Sequence, residues 1–94
     1  MAVVVVNQLR GGDQGMYDAV GPRVMPDDQL PDGCRVHIAG PGDDGWRVIT
    51  VWDSEERFNE FRDAKLIPAL QQAGFAERVA PQVEAKPVYK LVTT

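Results

Sequence analysis

Residues 46–74, WRVITVWDSEERFNEFRDAKLIPALQQAG, contain the sharpest change of pattern in the chain. Residues 46–52 are rich in β-branched and aromatic side chains, which favours a strand. After Ser54 the apolar residues follow helical spacing, and Phe58 and Phe61 begin an apolar face. The stretch therefore predicts a strand that leads directly into a helix.

The helix has recognisable start, break and stop signals. Ser54 is a good N-cap because its hydroxyl can accept a hydrogen bond from a free backbone N–H of the first turn. Pro68 would clash with the carbonyl of Ala64 inside one straight helix, so we expect two helical segments with a break near Lys65. Pro68 then opens the second segment, and Gly74 ends it.

Upstream, residues 2–9 include four consecutive valines, which predict a strand that is buried on both faces. Asp13 follows a glycine pair and can cap a first helix. The apolar face of that helix is formed by Met16, Val20 and Val24. Because Gly21-Pro22 lies inside it, we expect a kink or a shortened helix.

Two further strands flank a turn at residues 40–45. Residues 34–39 alternate, which places Cys34, Val36 and Ile38 on one face and Arg35, His37 and Ala39 on the other. The turn GPGDDG matches G-x-G-x-x-G, but a strand follows it instead of a helix, and its two aspartates would repel phosphate. It therefore predicts a hairpin and not a dinucleotide site.

Residues 82–92 predict the last strand, and Pro87 within it indicates an edge position or a bulge. The order β-α-β-β-α-β is that of the ferredoxin-like α+β fold, with both helices on one face of a four-stranded antiparallel sheet. We expect residues 1–94 to form a single domain of this kind. The valine row needs cover on the other face, and a second copy of the chain in a homodimer is the simplest cover.

Composition narrows the range of partners. The net charge of −4 and a pI near 4.8 argue against nucleic acid and against an anionic membrane surface. No apolar run approaches the roughly 20 residues that span a bilayer, and the opening residues lack the pattern of a signal peptide. With Cys34 as the lone cysteine, the chain fits the reduced environment of the cytoplasm.

Asn7 on the first strand and the segment VWDSEERFNEF, with its cap Ser54 and Phe58, resemble the antibiotic-biosynthesis-monooxygenase-like group of dimeric α+β barrels. The resemblance implies a homodimer whose two sheets form a barrel, with a pocket between helices and sheet in each subunit. It also implies one of two activities: haem degradation, or oxidation of polycyclic aromatic phenols without a cofactor.

The haem-degrading branch of the group implies an Asn, a Trp and a His at three positions. Asn7 matches the first, but the other two fall on Phe61 and Gln71. Without the histidine there is no proximal iron ligand, which argues against haem degradation. The cofactor-free branch implies deprotonation of the substrate followed by its direct reaction with oxygen.

For that chemistry we take Asn7 and His37 as the candidate catalytic residues. His37 is the only histidine and is the side chain best suited to act as a base at neutral pH. Substrate contacts are assigned to Trp52, Phe61 and Tyr17. Each has an ordinary alternative: His37 as a structural histidine, Asn7 bonded to backbone, and the aromatic residues as core.

The sequence does not support metal-dependent catalysis or a serine nucleophile. One cysteine and one histidine do not provide a metal site, and Ser54, the only serine, is already assigned to a helix cap. The hypothesis is a cofactor-free monooxygenase-like protein that binds a small aromatic or apolar molecule. The alternative is a non-catalytic binding or structural module of the same fold.

Overall fold

The computed structural model describes residues 1–93, with Ala80 described by its backbone alone; Thr94, the last residue of the predicted domain, lies outside them. One antiparallel sheet has the order β2-β3-β1-β4 and contains β1 (Val3–Arg10), β2 (Cys34–Gly42), β3 (Gly45–Trp52) and β4 (Ala80–Pro87). The helices are α1 (Gln14–Val24), α2 (Glu55–Phe61) and α3 (Ile67–Gln72). The predicted ferredoxin-like arrangement is confirmed.

The central strand β1 has two different faces. Val5, Asn7 and Leu9 are buried on the side that the helices cover. Val4 and Val6 point to the opposite side and remain half-buried. The valine row is therefore covered by this chain's own helices on one face only.

Helix α1 begins as predicted, and of the two outcomes expected at Pro22, a kink or a shortened helix, the shortened helix is wrong. The Asp13 carboxylate caps it by accepting a hydrogen bond from the backbone N–H of Met16 at 2.8 Å. The helix is not shortened at Pro22 but continues to Val24. Gly21 removes one obstacle, because the clash between a proline ring and the preceding Cβ does not arise when that residue is glycine. The hydrogen bond that Pro22 cannot donate to the carbonyl of Asp18 is still lost.

The second helical region has the predicted break. Ser54 Oγ accepts a hydrogen bond from the backbone N–H of Arg57 at 3.2 Å, and the break is a π-helical turn at Arg62–Leu66. Pro68 lies in the first turn of α3, where its missing N–H costs little. Gly74 follows the helix with a φ of 81°, a conformation that favours glycine.

The predicted facing of Cys34 is wrong. An irregularity between Cys34 and Val36 shifts the pairing of β2 with β3, so Cys34 lies on the helix-covered face together with His37. Each residue added by a bulge reverses the alternation of side chains, and a sequence pattern does not show where this happens. The hairpin itself is confirmed, with its turn reduced to Asp43 and Asp44.

The last strand is shorter than predicted. It spans Ala80–Pro87 instead of residues 82–92, and it pairs with β1 at the edge of the sheet, as Pro87 indicated. Proline has no N–H to donate, and the ladder stops there. One backbone hydrogen bond follows, from the N–H of Val88 to the carbonyl of Ala2 at 2.9 Å, while Tyr89 is fully exposed.

Candidate functional site

A cavity of about 70 Å³ lies between the helices and the covered face of the sheet. Its walls come from both halves of the core, with Leu9 and Met16 on one side and Trp52 and Phe58 on the other. A cavity of about 150 Å³ takes up benzene, so this space is smaller than one that encloses an aromatic ring. Side chains must move outward before a larger molecule can bind.

All five residues proposed from the sequence line this cavity: Asn7, Tyr17, His37, Trp52 and Phe61. They come from β1, α1, β2, β3 and α2, so the fold gathers them from separate parts of the chain. Their roles remain predictions, because lining a cavity is compatible with packing as well as with binding.

The strongest polar contact in the cavity wall joins α1 to β2. The Tyr17 hydroxyl lies 2.7 Å from Nε2 of His37, and the two rings are 5.9 Å apart. Burial lowers the pKa of His37, an effect that Asp28 partly offsets. Burial also raises the pKa of Tyr17, with added repulsion from Asp28 and Asp18. Both shifts favour the neutral forms, in which the Tyr17 hydroxyl can donate a hydrogen bond to Nε2 when the imidazole carries its proton on Nδ1.

Asn7 is the second polar feature of the cavity. Its side chain is only 5% exposed, and within residues 1–93 its Oδ1 has no hydrogen-bond partner. An unpaired buried carbonyl costs about 1–3 kcal/mol. The alternative in which the Oδ1 of Asn7 bonds to backbone is therefore not what the structure shows.

Trp52 and Phe61 form an aromatic wall. The Trp52 ring is 5.1 Å from Phe61 and 5.8 Å from Phe58, and its Nε1 donates to Thr50 Oγ1 at 2.8 Å. Because that N–H is already satisfied, Trp52 offers the cavity an apolar surface and no donor. Trp46, on the same strand face, packs against Tyr17 at 5.5 Å and does not line the cavity.

Most of the apolar lining was not named as site residues, and neither were two lining residues with polar side-chain atoms, Thr50 and Cys34. The alternation of β3 puts Thr50 on the same face as Trp52, and this signal was available in the sequence. Cys34 could not have been found, because the irregularity in β2 reverses its direction. Burial raises the pKa of its thiol, which keeps the thiol protonated.

Two classes of feature are absent from the described part of the chain. Among residues 1–93, no three His, Cys, Asp or Glu side chains come together as candidate metal ligands. None of the helices there combines the length and apolar character that crossing a bilayer requires.

The fold matches solved structures over almost the whole chain. A mutant of SnoaB from Streptomyces nogalater, described as a cofactor-independent oxygenase, is 15% identical with a TM-score of 0.67, covering 99% of this chain and 98% of that one. Rv0793 from Mycobacterium tuberculosis is 15% identical with a TM-score of 0.69, covering 99% and 100%.

A third structure, from Chloroflexus aurantiacus, carries the provisional description antibiotic biosynthesis monooxygenase. It is 18% identical with a TM-score of 0.60, and the match covers 98% of each chain. No protein-family model and no curated protein sequence matches the chain. The resemblance to the monooxygenase-like group is thus confirmed as a shared fold.

Proposed function

We propose that the cavity binds a small aromatic or apolar molecule and that the protein oxidises it with molecular oxygen and no cofactor. The observation that carries the proposal is the Tyr17–His37 hydrogen bond in the wall of an otherwise apolar cavity. An apolar pocket with a few convergent polar groups is the usual form of a small-molecule site. The cofactor-independent oxygenase among the structural neighbours supports the reaction type.

The chemistry requires a base in a place that excludes water. Neutral His37 can receive the Tyr17 proton while the Tyr17 oxygen takes a proton from a substrate C–H, which leaves a carbanion in the cavity. The carbanion reacts with oxygen; at a CH₂ group one oxygen atom becomes the new carbonyl and the other leaves as water. Asn7 orients the substrate by accepting a hydrogen bond from its hydroxyl.

Oxygen uptake tests this reaction. We expect consumption above buffer with anthrone-type phenols, whose CH₂ group can undergo this reaction, and we expect His37→Ala to lower the rate about 10²–10⁴-fold, the usual contribution of a positioned base. Asn7→Ala should lower it as well. Asp43→Asn, in the β2–β3 turn, serves as a control and should leave the rate unchanged.

A non-catalytic binding module is the second candidate, and the small volume of the cavity favours it. Binding of an anthrone-type phenol without oxygen uptake would support that candidate and count against the oxygenase proposal. Activity that survives both Asn7→Ala and His37→Ala would mean that the residue assignment is wrong, whatever the class of protein.

We also propose that the protein is a homodimer. The sheet face opposite the helices carries an aliphatic surface, to which β1, β2 and β3 contribute Val4, Val6, Val36, Ile38 and Ile49. Ile38 is 56% exposed in the single chain. A two-fold partner would bury this surface against its own copy. Light scattering should report twice 10.4 kDa at micromolar concentration, and a stable species of 10.4 kDa would overturn the proposal.

The location that we propose for the protein is the cytoplasm. Cys34 is buried and free, and no other cysteine is present to pair with it. This usage suits the reducing cytoplasm. Recovery of the protein in the cytosolic fraction after cell lysis, and not in the culture medium or periplasm, would support the assignment.

A further inference from the structure

A surface cleft lies directly outside the cavity. The two share three lining residues, Tyr17, Gly21 and Met25. Gly21 has no side chain, and a Cβ built there would meet nothing within 4 Å. The cleft and the cavity therefore adjoin at this point of α1, and no side chain stands at position 21 between them.

The cleft is acidic. Asp18 from α1 lines it together with Asp27 and Asp28 from the 3₁₀ turn at Pro26–Asp28, and no lysine or arginine is among its described lining residues. The basic residue near the end of α1, Arg23, instead donates a hydrogen bond to Gln72 Oε1 of α3 at 3.3 Å. All charged side chains among the described lining residues of the cleft are therefore negative.

The aspartates of the cleft also affect the pKa values of two side chains in the cavity wall. Asp28 and Asp18 add to the effect of burial in raising the pKa of Tyr17, and Asp28 opposes the lowering of the pKa of His37. An anion placed in the cavity beside Tyr17 would meet the same repulsion. The apolar walls would strengthen it, because screening by water is weaker there.

Inside the cavity, Asn7 supplies an independent indication of the ligand. Its Oδ1 is a buried acceptor that no described residue satisfies. A ligand that carries an O–H or N–H can satisfy it, whereas a carboxylate offers only further acceptors and would leave it unpaired.

We propose that the cavity selects compact molecules that carry a hydrogen-bond donor and no negative charge, and that they enter past Tyr17 and Gly21. The inference rests on the proposed function, since it assumes that the cavity binds a ligand, and it names the class. Single-ring phenols and arylmethylammonium ions meet both conditions. Aromatic carboxylates fail both.

Four one-ring probes of similar size separate the requirements: phenol, benzylamine, benzoate and toluene. Binding is measured by ligand-observed NMR titration of the full chain at neutral pH. We expect phenol and benzylamine to bind, benzoate to bind about tenfold more weakly than phenol or worse, and toluene to bind about five- to tenfold more weakly, since it leaves Asn7 unpaired.

A charge-removing variant tests the entrance. Asp28→Asn keeps the left-handed backbone at this position, where φ is 58°, because asparagine adopts that conformation readily. It should reduce the preference for benzylamine over benzoate by about two- to fivefold, the range of a partly exposed charge interaction. Asp43→Asn removes the same charge away from the cleft and should leave the preference unchanged.

The outcomes distinguish the inference from the function on which it rests. If benzoate binds as tightly as phenol, the charge requirement is overturned while ligand binding stands. Toluene binding equal to phenol overturns the donor requirement in the same way. If none of the four probes binds at millimolar concentration, the proposed ligand site falls together with its selectivity. If Asp28→Asn and Asp43→Asn change the preference for benzylamine over benzoate equally, the ligand does not enter through the acidic cleft.

Discussion

Replacing Asn7 with leucine should make the protein more stable and less able to bind. The side chain is 5% exposed and its Oδ1 lacks a partner in the described chain, so folding buries a polar group without compensation. Removing that carbonyl recovers about 1–3 kcal/mol, from which the misfit of a branched side chain subtracts up to about 1 kcal/mol. The net change should be a gain between about 0 and 3 kcal/mol, with about 1–2 kcal/mol as the central expectation.

Thr50→Val on the neighbouring strand is the matched control. It makes the same kind of change, from a buried polar side chain to an apolar one of similar shape. Thr50 Oγ1, however, accepts the Trp52 Nε1 hydrogen bond at 2.8 Å, and valine would leave that N–H unpaired. The control should therefore lose about 1–3 kcal/mol, opposite in sign to Asn7→Leu.

Urea unfolding at one fixed protein concentration measures both variants. With a slope of about 1 kcal/mol/M, the midpoint should rise by about 1–2 M for Asn7→Leu and fall for Thr50→Val. Fixing the concentration keeps any contribution from dimer dissociation the same in each sample. If Asn7→Leu lowers the midpoint as Thr50→Val does, then Asn7 is a structural residue and its assignment to the ligand site is refuted.

Three further predictions use other parts of the molecule. Burial holds the pKa of His37 below its usual 6.5, so the unfolded chain binds a proton more readily; stability should fall as pH drops below about 6.5, and His37→Gln should flatten the urea midpoint between pH 7.5 and 5. Ile49→Glu places a charge on the aliphatic sheet face and should leave a 10.4 kDa species in light scattering, whereas the same change at Ile67, exposed on α3, should not. Gly11→Ala should lower the thermal midpoint by several degrees, because φ is 83° and the added Cβ would lie 2.5 Å from the Arg78 carbonyl oxygen; an unchanged midpoint would show that this turn is mobile.

Local signals in the sequence were sufficient for the order of elements. Asp13 and Ser54 mark the helix starts by the same capping chemistry that the structure shows, and Pro68 marks the helical break. These features depend on residues within four positions of one another. They can therefore be inferred without knowing the rest of the fold.

Features that depend on distant residues were predicted less well. The facing of Cys34 depends on how β2 registers with β3, and the end of β4 depends on which residues of β1 remain to pair with it. The five candidate site residues were named from their chemistry and from the family resemblance. Their convergence on one cavity, and above all the contact of Tyr17 with His37 across 20 positions of sequence, required the three-dimensional structure.

Because of the π-helical turn at Arg62–Leu66, the number of residues between α2 and α3 decides which way the side chains of α3 point. Leu70 follows Phe58 by twelve residues, and in a continuous α-helix it would be rotated by about 120° from it. One residue absorbed in the wider turn reduces that rotation to about 20°, so both side chains can line the same cavity. Deleting one residue within this turn would restore a continuous α-helix in which Leu70 keeps its rotation of about 20° from Phe58. Inserting one residue would instead swing α3 by about 100° and withdraw Leu70 from the cavity, whereas most exchanges of side chain there would leave the rotation unchanged.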